Sequence, residues 1–331
     1  MQLVAEWEKQ EFVQLVFPHE NTDWNDYLEE SIQTFVNIAN TIRKYQKCLI
    51  IAKNLTYVQS LFFNKKNLIF VEIDSDDTWS RDFGGITIRE NNTLTVLDFQ
   101  FNAWGKKFSY ALDNQITNQM QEQGLFKIYK YKSIPFVLEG GAIDSNGAGI
   151  ILTTSKCLLE KNRNPSLNQS EIENKLMDYL GAKKVLWLNS GYLEGDDTDS
   201  HIDTLARFIS EDTIVYQSCD DRLDVHFEEL QKMEKELKEF TQLNGNKFKL
   251  IPLPWISPKY DAQDRLPATY ANFLFINNAV LIPTYNDKND TKVLNLFEQL
   301  FPKKDIIAID CQTLIRQHGS LHCVTMQYPS L

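Results

Sequence analysis

Cysteine is scarce in this sequence, and no two cysteines have the close spacing of a metal-binding or redox motif. The 331-residue chain has five cysteines, an odd number, and they lie far apart without any CxxC pair. A disulfide framework and a zinc ribbon both need closely spaced, paired cysteines, so neither is expected. Four cysteines lie in apolar or strand-like runs and are interpreted as structural thiols: Cys48, Cys157, Cys219 and Cys311.

Positive charge and long apolar runs are also lacking. Basic residues number 34 against 45 acidic residues, and the net charge of -11 argues against a general nucleic-acid binder. No apolar stretch approaches the roughly 18 residues that span a bilayer. Acidic residues occupy the N-terminus, at Glu6, Glu8 and Glu11, where a secretory signal would be apolar. We therefore expect a soluble cytoplasmic protein that contacts neither nucleic acid nor membrane.

The chain does have enough apolar material for a large core. Hydrophobic residues make up 43% of the sequence and aromatic residues 12%, which excludes disorder of the whole chain. The length suits one large domain or two modest ones. Helical patterns with their caps predict four helices: 24–45 after Asp23, 171–180 after Ser170 and before Gly181, 224–240, and 290–300.

Short β-rich pairs separated by polar turns recur between these helices. The turns lie near residues 91, 146, 211 and 278, so the pairs repeat every 55 to 67 residues. A fifth pair would join the C-terminal segment 321–327 to the N-terminal segment 4–17, and this closure would leave no free sheet edge. The periodicity alone suits a ring of repeats and a doubly wound α/β sheet equally well.

Chemically reactive side chains gather at the heads of four of these pairs. The four segments are Trp79–Gly84, Glu139–Gly141, Asp196–Asp203 and His318–Cys323. Asp82, Glu139 and His201 follow one another at intervals of 57 and 62 residues, and Cys323 comes 122 residues later, close to two periods. Equivalent points of a pseudo-symmetric ring converge on its axis. We therefore expect a cysteine, a histidine and several carboxylates to meet in one cavity.

Such a set of side chains favours attack on a guanidine or amidine carbon. Cysteine is the best nucleophile at neutral pH, and a nearby histidine can act as acid or base. Several carboxylates around a thiol hinder its ionisation unless a cation arrives, and a planar guanidinium is a cation that carboxylates bind in bidentate geometry. The pair His201 and Asp203 leaves a metal site as the rival interpretation, although only five histidines are present.

The four segments, in this order, resemble those of the agmatine deiminases, a family of the pentein (guanidine-modifying) superfamily. The resemblance runs from about residue 5 to residue 329. It rests on Trp79–Gly84, Glu139–Gly141, GDDTDSHIDTLARF at 195–208, HGSLHCVTMQ at 318–327, CLLEKNRNP at 157–165, Glu6-Trp7-Glu8 and Pro18-His19. It implies an α/β fold, a five-bladed pseudo-symmetric propeller forming one domain over residues 1–331. It also implies hydrolysis of agmatine to N-carbamoylputrescine and ammonia in polyamine biosynthesis, without cofactor or metal.

The resemblance also implies a role for each reactive residue. Cys323 would be the nucleophile that forms a covalent amidino-thioether. His201 would protonate the departing ammonia and then activate the hydrolytic water. Asp82 and Asp203 would clamp the guanidinium nitrogens, while Glu139 would bind the remaining edge and orient His201. One departure is that Gly85 stands where the family usually has a proline, which frees φ but keeps the preceding carboxylate.

Further substrate contacts are predicted around this set. Trp79 and Trp104 could stack on a flat cation, Asp197 could contribute charge, and Asp76 with its neighbour Asp77 could face the distal ammonium of agmatine. Four histidines receive no role: His19, His226, His318 and His322, the last because strand alternation would turn it away from Cys323.

Two alternatives to agmatine hydrolysis stay open. One is a related deiminase that acts on arginine or peptidyl arginine, or another cysteine hydrolase of C–N bonds. The other is a non-catalytic propeller that binds a partner, although such a protein has no need of the Cys, His and Glu together. The expected partner is a small molecule, agmatine, and a homodimer is left as an option.

Overall fold

Strands and helices alternate along the whole chain, which the computed structural model describes from residue 1 to residue 331. The strands are β1 (Gln2–Leu3), β2 (Gln10–Val16), β3 (Lys47–Ala52), β4 (Leu68–Glu72), β5 (Ile86–Glu90), β6 (Thr93–Gln100), β7 (Tyr129–Val137), β8 (Ile143–Ser145), β9 (Ile150–Thr154), β10 (Lys184–Leu188), β11 (Ala206–Ser210), β12 (Thr213–Gln217), β13 (Lys249–Leu253), β14 (Lys259–Asp261), β15 (Asp264–Leu266), β16 (Leu274–Ile276), β17 (Ala279–Thr284), β18 (Asp305–Asp310) and β19 (Thr325–Pro329). The α-helices are α1 (Leu28–Ile42), α2 (Leu55–Ser60), α3 (Ser80–Phe83), α4 (Ala103–Lys106), α5 (Ile116–Glu122), α6 (Ser155–Leu158), α7 (Gln169–Leu180), α8 (Phe227–Glu239) and α9 (Asp290–Leu300). None of the helices is long and apolar enough to cross a bilayer.

One sheet topology occurs five times. In each case two antiparallel strands are followed by a parallel neighbour: β5-β6-β7, β8-β9-β10, β11-β12-β13, β16-β17-β18 and β19-β2-β3. Strands β1 and β4 extend two of these sheets, and β14-β15 is a separate hairpin. The predicted pairing of the two chain ends is confirmed, because β19 runs antiparallel to β2 with Thr325 opposite Leu15.

All four predicted helices are present, but two of them have other N-caps than predicted. The first predicted helix is preceded by a 3-10 turn at Asn25–Tyr27, so Asp23 does not cap it and α1 begins only at Leu28. Asn168, rather than Ser170, caps α7: its side chain accepts from the Glu171 N–H at 3.1 Å, and the Glu171 carboxylate accepts from the Asn168 N–H at 2.8 Å. This reciprocal capping box satisfies two backbone donors that Ser170 would leave free.

The C-terminal boundaries and the amphipathic patterns agree better with the structure. Gly181 ends α7 in the left-handed conformation with φ of 71°, and α9 has the predicted bounds. Helix α8 begins three residues later than predicted, and its single apolar stripe packs on β9–β12 through Leu230, Met233 and Leu237. The rest of the core is continuous between the remaining sheets and helices.

A buried turn precedes the first hairpin strand of each sheet. Four of these turns are the reactive segments found in the sequence, immediately before β5, β8, β11 and β19. The fifth lies before β16 and carries Asn272, which is fully buried. The five turns thus bring side chains from distant parts of the sequence to one place, where they form the candidate site.

Candidate active site

The five turns meet beside a cavity of about 210 Å³. Its lining residues are Asp23, Asp77, Trp79, Asp82, Trp104, Phe108, Asp197, Thr198, Gln317, His318, Gly319 and Cys323. Four of the lining side chains are carboxylates, and none is a lysine or arginine. The cavity is therefore suited to a cation.

Cys323 is the cysteine that lines this cavity, and its side chain is almost completely buried. Its Sγ lies 3.8 Å from Oδ2 of Asp203 and accepts a hydrogen bond from Nδ2 of Asn272 at 3.3 Å. Burial, together with the charges of Asp203 and Asp82, raises the pKa of the Cys323 thiol well above its usual value. Burial and these charges therefore favour the protonated sulfur, and a bound cation would favour the thiolate.

His201 is buried and is not among the residues that line the cavity. Its Nδ1 is 3.5 Å from Oδ1 of Asp82. Although burial lowers the pKa of His201, the neighbouring Asp82, Cys157 and Glu139 raise it well above its usual value. The ring is therefore a proton donor in the resting site.

A glycine gives this histidine its space. A Cβ atom at Gly141 would lie 2.6 Å from Nδ1 of His201 and 2.7 Å from Oδ1 of Asp82. Only a residue without a side chain lets the turn before β8 approach both groups this closely. The backbone N–H of Gly141 also donates to Oδ1 of Asp82 at 3.0 Å, so the glycine positions the carboxylate as well as making room for it.

Asp82 is held on both oxygens. Its Oδ2 accepts from the indole Nε1 of Trp104 at 2.9 Å, and its Oδ1 accepts from Gly141. Burial raises the pKa of Asp82 to about 6; the His201 ring opposes this shift, whereas the charges of Asp203 and Glu139 add to it. The carboxylate thus loses its charge in a pH range close to neutrality.

Glu139 is completely buried and is paired with a cation that the sequence analysis did not single out. Nε of Arg163 donates to the two carboxylate oxygens of Glu139 at 2.9 and 3.1 Å. The same guanidinium reaches Oδ2 of Asp199 at 2.8 Å and the carbonyl of Thr198 at 2.9 Å. Arg163 therefore ties Glu139 to the loop that leads into His201.

The residues that could hold a metal ion are part of this same cluster. Ligand atoms of Glu139, Cys157 and His201 all lie within 4.8 Å of one another, and zinc accepts all three residue types. Arg163, however, already occupies the Glu139 carboxylate with a fixed positive charge. A second cation would have to displace it, so the donor set fits a metal poorly.

Asp203 is held by a histidine that was predicted to lie outside the site. Nδ1 of His322 is 2.7 Å from Oδ2 of Asp203, and Nε2 of the same ring is 2.8 Å from Oε2 of Glu6. The prediction assumed an extended strand, but residues 321–324 form a turn and β19 begins at Thr325. The alternation of side chains along a strand therefore does not apply at His322.

The predicted substrate contacts fall into two groups. Trp79, Trp104 and Asp197 line the cavity, and burial with the neighbouring Asp196 raises the pKa of Asp197 to about 6. Asp76 does not line it, because its carboxylate accepts from the backbone N–H of Leu112 at 2.7 Å.

The neighbour of Asp76 takes the cavity-lining position instead. The two oxygens of Asp77 accept from the indole N–H groups of Trp24 and Trp79, both at 2.8 Å. Burial raises the pKa of Asp77 to about 7. His318, which received no role from the sequence, also lines the cavity, with its backbone in the left-handed conformation and its Nδ1 2.7 Å from the carbonyl of Gly195.

Comparisons with known proteins find similar sequences and structures that are named as deiminases. A family model described as Porphyromonas-type peptidyl-arginine deiminase matches residues 2–329. A solved structure of a cysteine-to-serine variant of C. jejuni agmatine deiminase with substrate bound is 44% identical, with a TM-score of 0.94 over 99% of this chain and 96% of that one. The agmatine deiminase of Pseudomonas aeruginosa (strain LESB58) is 29% identical over 98% of this chain and 95% of its own length. A DDAH structure from Pseudomonas aeruginosa, 11% identical with a TM-score of 0.53, shares the mixed α/β pentein-type fold alone.

Proposed function

The chain belongs to the Porphyromonas-type peptidyl-arginine deiminase family, and from that premise we propose that it is an enzyme that hydrolyses agmatine to N-carbamoylputrescine and ammonia. The observation that carries the proposal is the position of the Cys323 sulfur, at a cavity whose lining is rich in carboxylates and beside Asp203. The names of the C. jejuni and Pseudomonas aeruginosa relatives support the same reaction.

The first half of the reaction uses the charge of the substrate. Asp82 and Asp203 hold the guanidinium over the sulfur, its positive charge lowers the cost of forming the thiolate, and the thiol proton leaves to solvent. The Cys323 thiolate attacks the guanidinium carbon and forms a tetrahedral adduct. His201 gives a proton to one nitrogen, the C–N bond breaks, and ammonia leaves an amidino-thioether on Cys323.

The second half consumes one water. His201, which has lost its proton, accepts a proton from the water as the oxygen attacks the amidino carbon. The C–S bond then breaks, the thiolate is regenerated, and the product carries a ureido group in place of the guanidine. Glu139, fixed by Arg163, holds the imidazole side of the site in place through both halves.

The far end of the cavity favours agmatine over arginine. Asp23, Asp77 and Asp197 line it without any lysine or arginine side chain. The distal ammonium of agmatine would meet these carboxylates, whereas the α-carboxylate of arginine would be repelled by them. A peptidyl arginine would place a neutral backbone there and gain nothing from their charge.

The finer architecture is part of the same proposal. Five sheets of one topology, with the two chain ends paired in one of them, support a single five-bladed α/β propeller over residues 1–331. Convergence of the five turns beside one cavity is what the axis of such a ring would produce. A cytoplasmic location and a homodimer stay predictions.

A substrate panel tests the activity. Ammonia release would be measured with agmatine, arginine and an arginine peptide blocked at both ends. Since like charges placed against each other cost several kcal/mol, we expect kcat/KM for agmatine to exceed that for arginine by about 100-fold or more. Asp77→Asn should narrow this preference. Turnover of the peptide with inert agmatine would contradict the proposed substrate.

The pH dependence tests the clamp. Asp82 and Asp197 have pKa values raised to about 6 and Asp77 to about 7. Each must be ionised to attract the cation, so we expect log kcat/KM to rise with pH through the range from about 6 to 7. Below this range the slope of log kcat/KM against pH should exceed one, because more than one carboxylate takes up a proton. Asp77→Asn should lower the slope on the acid side of the profile, because one carboxylate fewer takes up a proton there. A profile that stays flat down to pH 5 would contradict the assignment.

A further inference from the structure

We propose that His322 is a positioning residue of this site: its ring donates from both nitrogens, to Asp203 and to Glu6, and fixes Asp203 in the orientation that receives the guanidinium. Its kinetic consequence rests on the proposed deiminase function, whereas its protonation state does not. The sequence offered no role for this histidine. The contacts of its two ring nitrogens assign one.

Both nitrogens of the ring face carboxylates. Nδ1 lies 2.7 Å from Asp203 and Nε2 lies 2.8 Å from Glu6, and the imidazole is buried. A neutral imidazole carries a single N–H, so it could satisfy one carboxylate and would present a lone pair to the other. A ring protonated on both nitrogens donates to both.

Glu6 has no proton to offer in return. Its Oε2 accepts from Nη2 of Arg207 at 2.5 Å, and its Oε1 accepts from the backbone N–H of Phe275 at 2.8 Å. Although burial opposes it, the positive charge of Arg207 holds the pKa of Glu6 far below its usual range. The hydrogen between Glu6 and His322 therefore belongs to the imidazole.

The two carboxylate oxygens of Asp203 have different surroundings. Its Oδ2 accepts from His322, whereas its Oδ1 is buried without any hydrogen-bond partner. An unpartnered carboxylate oxygen is costly inside a protein. A guanidinium N–H over the neighbouring Cys323 sulfur would supply the missing donor, and the imidazolium keeps the carboxylate turned toward it.

Arg207 pairs with two of the carboxylates around the ring, whereas Arg81 forms no ion pair. The groups that face His322 or its partners are Glu6, Asp203, Asp144, Arg207, Arg81 and Cys323. Arg207 bridges Glu6 and Asp144, with Nε 3.3 Å from Oδ1 of Asp144. Arg81 donates from Nε to the carbonyl of His322 at 3.4 Å. The ring thus adds one positive charge directly behind an acidic substrate clamp.

This network also gives a role to the N-terminal Glu6-Trp7-Glu8 segment. Glu6 is 316 residues from His322 in sequence, yet it is the acceptor that locks the far side of the ring. Arg207, the partner of Glu6, also donates from Nη1 to the carbonyl of Phe273 at 3.1 Å. The hydrogen-bond network therefore includes the turn before β16. The N-terminal segment therefore stabilises the orientation of Asp203 without contacting substrate.

Nitrogen NMR of the histidine rings tests the protonation state directly. The protein has five histidines, so ¹⁵N-histidine labelling with His322→Gln for assignment isolates the signals of His322. We expect both ring nitrogens to carry protons in the folded protein, without agmatine present. A single-proton tautomer at neutral pH would overturn the proposal. This readout needs no turnover, so it stands or falls separately from the deiminase activity.

Kinetics test the positioning. His322→Gln removes the charge but keeps a donor, and since hydrogen bonds to charged groups are among the stronger ones we expect kcat/KM for agmatine to fall about 10- to 150-fold. The acid limb should move to higher pH as Asp203 loses its counter-charge. His226→Gln is the matched control: this buried ring pairs with Asp224 at 2.6 Å and does not line the cavity.

A second variant keeps the test decisive if His322→Gln does not fold. Glu6→Gln removes the outer carboxylate, so the Nε2 signal of His322 should change. A folded His322→Gln with the wild-type pH profile, or a Glu6→Gln in which the ring signals are unchanged, would show a merely structural role. If the wild-type protein fails to turn over agmatine, the proposed function falls while the NMR result still decides the state of the ring.

Discussion

Replacement of Cys323 by serine is expected to lower kcat for agmatine by about 10⁴-fold or more, the scale seen when a nucleophile is removed from an enzyme. The alkoxide of serine is far harder to form than a thiolate, and the carboxylates of Asp82 and Asp203 would oppose it further. Ammonia release in a single-turnover assay would measure the loss.

Binding should survive the same substitution. Serine keeps the hydrogen bond to Asn272 within reach and leaves every carboxylate of the cavity in place, so calorimetry should still detect agmatine binding to Cys323→Ser. Cys219→Ser is the matched control, because the Cys219 thiol only donates to the Asp221 carbonyl at 3.5 Å, which a hydroxyl can also do. Retention of more than about one per cent of wild-type turnover in Cys323→Ser would exclude Cys323 as the nucleophile.

The spacing of the reactive segments anticipated much of the site. Turns at the heads of repeated strand pairs are local features, so a recurring interval between carboxylate, histidine and cysteine can be read from one sequence. Asn272 was missed at the fifth position because an asparagine between alanine and phenylalanine has no motif around it. Its interval of 69 residues from Asp203 is slightly longer than the period, and that was the signal available.

Buried charge pairs were harder to foresee. Arg163 is 24 residues from its partner Glu139, and Glu6 is 316 residues from His322. Neither pairing follows from periodicity or from a helix face, because an ion pair over such a separation depends on the fold as a whole. Both residues did lie in segments that carried the family resemblance, yet the resemblance said nothing of what they contact.

His322 shows how a local assumption can mislead. The argument from strand alternation was sound for extended chain, but the turn that presents Cys323 continues to residue 324. In a turn, consecutive side chains can serve the same cluster. The start of a short strand is among the least certain boundaries in a sequence, and here an error of a few residues removed a histidine from the site.

Replacement of His201 by alanine is expected to lower turnover by about 10²- to 10⁴-fold, the usual contribution of general acid–base catalysis. Hydrolysis of the amidino-thioether depends on the imidazole more strongly than the departure of ammonia does. Departure of ammonia needs one proton, which a neutral carboxyl group of the cavity such as that of Asp82 can supply at slightly acid pH. Attack by water needs a base at the amidino carbon, and the imidazole that lines the cavity, that of His318, is already engaged at Nδ1 by the carbonyl of Gly195.

The hydrolysis step should therefore become the slower one, and the amidino-thioether should accumulate. Intact-protein mass spectrometry after mixing His201→Ala with agmatine should show the mass of agmatine less ammonia added to the chain. Peptide mapping should place the addition on Cys323. Cys323→Ser/His201→Ala is the control that should take up no label.

Two outcomes would contradict this account. An adduct on Cys157 would make that residue the nucleophile, since its sulfur lies within 4.8 Å of a ligand atom of the His201 ring. Full turnover by His201→Ala would show that another group moves both protons. The expected outcome requires that Cys323 and His201, which come from the turns before β19 and β11, both reach one substrate carbon.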